Sequence, residues 1–94
     1  MVYSVYFDQD VIDFMNDLER YCIIHYGNYS FGRKFYREVD KIVETIKYNP
    51  RAYIEIKNHR HRVIILKRYR LFYQVYESEK EIYIYRICSC RQNF

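Results

Sequence analysis

The groups in this chain that could do chemistry crowd into residues 57–94. Arg60, Arg62, Lys67, Arg68, Arg70, Arg86 and Arg91 stand there among aliphatic and aromatic β-formers, and His59 and His61 open the run. A guanidinium presents a planar fork of donors that matches two oxygens of a phosphate or carboxylate. Histidine is the side chain best matched to proton transfer near neutral pH. An anionic partner is therefore the first expectation. The plainer alternatives are an Arg70 paired with Glu81 or Glu55 on a sheet face, and two solvated loop histidines.

Charge is distributed unevenly along the 94 residues. Residues 1–50 carry 6 Lys/Arg against 8 Asp/Glu, and residues 51–94 carry 10 against 4. Lys57–Arg70 holds six cations, two histidines and no acid. This asymmetry points to one basic face meeting nucleic acid or an acidic protein. A solvated charged strand pair would look the same. The 13 tyrosines can bury a ring while keeping a polar tip at the surface, which suits partner binding as well as half-buried strand positions.

The elements that must position these groups can be read from periodicity. Tyr3–Phe7 alternates as a short strand. Asp8 is a candidate cap for a helix with apolar positions at Val11, Phe14, Met15, Leu18, Cys22 and His25 or Tyr26. Gly27-Asn28 ends it, and Ser30 is a candidate cap for a second helix striped by Phe31, Phe35, Val39, Ile42 and Ile46. Asn49-Pro50 stops that helix. Residues 51–61 read as a loop or an irregular approach to a strand. Strands follow at Arg62–Lys67, Tyr69–Tyr76 and Ile82–Cys88, with a tight connection at Arg68-Tyr69 and a hairpin loop at Glu77–Lys80.

The expectation is an α+β fold of one domain, 1–94, in the order βααβββ. An antiparallel helical hairpin packs on one face of a small, twisted, mainly antiparallel sheet. Leu71, Tyr73 and Val75 lie beneath the helices, and Arg70, Phe72, Gln74 and Tyr76 face the other way.

Cys22, Cys88 and Cys90 fit neither a disulfide framework nor a four-ligand zinc site, so reduced thiols are expected. No metal and no cofactor are expected. The start of the chain lacks a secretory pattern, and no apolar run approaches a membrane span, so a cytoplasmic location is expected.

The element order, the Ser30–Pro50 helix ending in Asn-Pro, the strand Tyr69-Arg-Leu-Phe-Tyr-Gln-Val75 and the ending Ile87-Cys-Ser-Cys-Arg-Gln-Asn-Phe94 together resemble the RelE/ParE toxins of bacterial type II toxin–antitoxin systems. The resemblance implies growth arrest by ribosome-dependent mRNA cleavage, as in the RelE-like mRNA interferases. The alternative is inhibition of DNA gyrase without nuclease activity, as in ParE-like members. It also implies a cognate antitoxin whose acidic C-terminal segment covers the working face, and leaves room for a homodimer or a toxin–antitoxin hetero-oligomer.

Metal-independent RNA cleavage needs a base, fixed cations for the phosphorane, and an acid for the leaving oxygen. On the resemblance, Arg70 falls on the strand arginine that contacts the scissile phosphate, and Arg91 on or beside the family's C-terminal arginine. His61 and Tyr69 are the nearest candidates for proton transfer. His59, Arg60, Arg62, Lys67, Arg68 and Arg86 are candidates for nucleic-acid or antitoxin contact. The chain departs from the nuclease pattern at two places. A lysine pair is absent before the arginine strand, and Phe94 stands where the nucleases have a tyrosine.

Overall fold

The computed structural model describes residues 2–28 and 30–89. The elements are β1 (Ser4–Phe7), α1 (Gln9–Tyr26), α2 (Ser30–Tyr48), β2 (Glu55–Lys57), β3 (Arg60–Ile65), β4 (Tyr69–Tyr76) and β5 (Glu81–Ser89). They form two helices on one face of a five-stranded sheet ordered β1-β5-β4-β3-β2. β1 pairs parallel with β5 and the other neighbours are antiparallel. The extra strand is the short β2, in the segment read from sequence as a loop or irregular approach. It pairs with β3 through a register shift between Glu55 and Lys57.

Each helix is amphipathic and turns its apolar stripe to the sheet. Val11, Met15 and Cys22 are buried on α1, and Phe35, Val39, Ile42 and Ile46 on α2. Apart from Cys22, they meet Val63 and Ile65 of β3, Leu71, Tyr73 and Val75 of β4, and Ile82, Ile84 and Ile87 of β5 in one cluster. α1 ends as its sequence requires: Gly27 is left-handed at φ 66°, and its N–H donates to the Ile23 carbonyl. At the start of α2, Asn28 Oδ1 accepts a hydrogen bond from the Ser30 N–H at 3.0 Å. Asp8 precedes α1 with no side-chain cap, although its carbonyl accepts from Val11 and Ile12.

Two irregularities set the register of the basic residues. The β3–β4 connection spans Ile65–Arg68, with Leu66 and Lys67 left-handed at φ 51° and 58° and the Arg68 N–H donating to the Ile65 carbonyl. This is the backbone of a mirror-image hairpin turn, which matches strand twist but normally takes Asn or Gly. The second is a bulge in β5. Phe72 pairs with Arg86 and Tyr73 with Ile84, so Tyr85 is an extra residue. The bulge lets Ile82, Ile84 and Ile87 all reach the core although their spacing breaks period two. Among the described residues no helix is long and apolar enough to cross a membrane.

Candidate functional site

The helices cover one face of the sheet, and its other face carries the arginines. Strand alternation puts Arg60, Arg62 and Ile64 of β3 on the uncovered side, with Arg70, Phe72, Gln74 and Tyr76 of β4. Across the strands, Arg62, Phe72 and Arg86 share one row, and Ile64, Arg70 and Cys88 the next. Arg70 therefore lies two residues along β4 from the Arg62–Arg86 row, about 7 Å at backbone level. Three guanidinium side chains start from one small area. Arg86 reaches this group only because the bulge re-phases β5.

Tyrosines surround them. Tyr6 of β1 stacks on Tyr83 of β5 with centroids 5.2 Å apart, and Tyr76 meets Tyr83 edge-on at 5.4 Å. Phe72 lies 6.1 Å from Tyr85, and the Arg60 guanidinium sits 5.8 Å from the Tyr85 ring. The Tyr83 hydroxyl donates to Glu81 at 3.3 Å. Its phenol is raised above the ordinary value, by partial desolvation first and by the Glu81 carboxylate second. Ile54, Ile56 and Ile64 are exposed at the β2 end. Sequence reasoning placed Phe72 and Tyr76 here but missed Tyr6, Tyr83 and Tyr85. Alternation along Glu81–Tyr85, with Ile82 and Ile84 inward, was the signal.

The proton-transfer candidates His61 and Tyr69 are not brought to this group. His61 is 3 % exposed and points under the helices. Its Nδ1 donates to the Tyr53 carbonyl at 2.9 Å, and its ring stacks on Tyr73 at 4.9 Å with 5° between planes. Alternation explains the placement, because His61 is in phase with the buried Val63 and Ile65. Tyr69 is half-buried on the same covered side. It packs edge-on against Phe35 at 5.3 Å and Phe14 at 5.9 Å. Burial raises its phenol above the usual value. Although Tyr69 precedes Arg70 in sequence, the two sit on opposite faces.

The remaining candidates separate into groups. His59 is exposed in the β2–β3 turn at φ 62°, where its N–H donates to Glu55. It sits beside Tyr76, Glu77 and Glu79, at the end of β4 remote from Arg70. Lys67 and Arg68 lie in the β3–β4 turn at the mouth of the helical hairpin, apart from the open-face arginines. His25, expected on or near a packing face, is exposed against Tyr21 at 4.1 Å. Cys22 and Cys88 are free and buried. Arg91, Cys90 and Phe94 lie outside the described residues.

A basic, aromatic sheet face away from the helices can hold a polyanion or an acidic, aromatic-rich protein surface. Comparison with known proteins names the family. A family model described as the ParE toxin of the type II toxin–antitoxin system parDE matches residues 5–94. The chain belongs to the RelE/ParE toxin family.

A solved structure shares the toxin's fold: the crystal structure of an archaeal RelE–RelB complex from Pyrococcus horikoshii OT3. It superposes with a TM-score of 0.65 at 18% identity, covering 99% of this chain and 100% of that one. A search of curated proteins found no match. The toxin's helix-backed sheet, in the order βααβββ apart from the short β2, agrees with the sequence resemblance.

Proposed function

We propose that this toxin arrests growth by ParE-like inhibition of gyrase, bound through the uncovered sheet face, rather than by cutting RNA. One observation carries the reading: His61 and Tyr69, the nearest candidates for acid–base work, pack beneath the helices, away from Arg70. Arginines hold and orient an anionic surface, but a guanidinium stays protonated and cannot act as the base in RNA cleavage. The open-face tyrosines add ring area suited to a protein target such as gyrase.

A cognate antitoxin fits the same face. The structural neighbour is a toxin–antitoxin complex, and an acidic C-terminal antitoxin segment would complement Arg62, Arg70 and Arg86. Covering those guanidiniums would block the target and explain neutralisation without a separate inhibitory site.

The second reading is ribosome-dependent mRNA cleavage, favoured by the three arginines starting from one area. In a paired experiment the toxin is induced, mRNA 5′ ends are mapped, and purified gyrase is assayed for supercoiling. Gyrase-type action leaves mRNA intact and traps gyrase–DNA complexes. Codon-phased new ends that vanish in Arg70→Ala, with gyrase unaffected, would reverse the assignment.

A further inference from the structure

A cleft opens at the mouth of the helical hairpin, on the side of the sheet away from the arginine row. It has a volume of about 420 Å³ and is lined by Leu18, Tyr21, Tyr26, Phe31, Arg68 and Tyr69, with the buried Cys22 in its wall. A contiguous depression adds Lys67 and Ser89. The open-face group of Arg62, Arg70 and Arg86 includes none of these residues.

The chemistry of the lining is specific. Tyr21, Tyr26, Phe31 and Tyr69 supply rings around one space. Tyr21 and Tyr26 meet edge-on at 6.1 Å, and Phe31 stands 6.2 Å from Tyr69. Tyr26 is 64% exposed and Tyr21 51%, with the Tyr21 ring also against His25. The Arg68 guanidinium lies 5.8 Å from the Phe31 ring, which holds a cation over the aromatic wall. Lys67 is exposed beside it, and none of the lining residues is acidic. The strained Leu66-Lys67 turn carries both cations to the rim.

Rings on two sides, cations at the rim and room for a mononucleotide make a complementary set. We infer that this cleft binds a nucleoside monophosphate unit, its base stacked among Tyr21, Tyr26 and Phe31 and its phosphate held by Arg68 and Lys67. The unit could be a free nucleotide or one residue of a single strand, since both present a planar base and an adjacent phosphate. An aliphatic anion would leave the rings unused, and a neutral aromatic would leave the cations unpaired.

Calorimetric titration of the full chain with AMP, and separately with the trinucleotide ApApA, tests this. Both are expected to bind. Arg68→Glu and Tyr26→Ala, two exposed positions, are each expected to weaken binding at least about fivefold, the lower end of what one base–aromatic stack supplies. Arg70→Ala, on the opposite face, leaves AMP binding unchanged, which separates this site from the proposed working face. Tighter binding of ApApA through the same residues identifies a strand as the source, and equal binding identifies the free nucleotide. Absence of binding by both probes at millimolar concentration overturns the inference. So does binding that folded Arg68→Glu and Tyr26→Ala leave intact, or binding of a glutamate-rich peptide alone.

Discussion

Replacing His61 by alanine removes a ring that the fold uses as core. The side chain is 3 % exposed, stacks on Tyr73 at 4.9 Å, and satisfies the Tyr53 carbonyl at 2.9 Å. Truncating a buried ring leaves a cavity that costs about 3 kcal/mol. Leaving the Tyr53 carbonyl without its donor adds about 1 kcal/mol. The two overlap, so a total of roughly 3–4 kcal/mol is expected. For a domain of this size each kcal/mol shifts Tm by about 4–8 °C, giving a fall of roughly 12–32 °C. His61→Phe keeps the stack and loses the hydrogen bond, so its fall is roughly 4–8 °C. Thermal melts followed by circular dichroism measure both. Growth arrest by His61→Phe at a temperature where it is folded is expected to match the parent chain. A His61→Phe protein that is folded but harmless would refute the reasoning, because a core residue with no catalytic part cannot behave so.

Lys67→Gly is expected to raise stability by about 1 kcal/mol, seen as a Tm increase of roughly 4–8 °C, because it relieves a left-handed non-glycine residue in the turn. An unchanged or lower Tm would mean the turn is not strained there. Tyr73 is fully buried and its hydroxyl donates to the Pro50 carbonyl at 2.7 Å, and burial pushes its phenol well above the ordinary range. In the unfolded chain that phenol ionises near pH ~10, so its stabilising effect is complete below that pH and drains away as pH rises above it. Denaturant melts should show stability falling above pH ~10, and Tyr73→Phe should flatten that fall. Arg51 holds the exposed Glu77 carboxyl below its usual value through a 2.9 Å bond. Its small contribution is present at neutral pH and is lost as pH falls through that lowered value, so Arg51→Ala should matter less in acid.

Much of the architecture was legible because apolar periodicity has a direct physical cause. Phe35, Val39, Ile42 and Ile46 recur at helical spacing, and all four are buried on α2. The alternation of Leu71, Tyr73 and Val75 likewise fixed which way Arg70 faces. The turn at Leu66-Lys67 was not legible, since neither residue favours the left-handed backbone it adopts; the strand therefore seemed to run on to Lys67. β2 was missed because its three residues are all exposed and carry no buried stripe. His61 was misplaced for a different reason. Its polarity suggested a solvated loop, whereas its phase with Val63 and Ile65 put it inside, and phase won. Arg62 and Arg86 were legible as cations but not as neighbours, because the bulge at Tyr85 decides that.

The claim on which the rest turns is that the uncovered sheet face is where this toxin meets its target. Its most direct test is growth arrest after induction of the double charge reversal Arg62→Glu/Arg86→Glu, at matched levels of folded protein, with Arg20→Glu on the exposed side of α1 as the control. The account predicts that the double reversal is harmless and the control arrests growth like the parent chain. Full arrest by the double reversal, with arrest lost in the control, would contradict it and move the working surface to the helices.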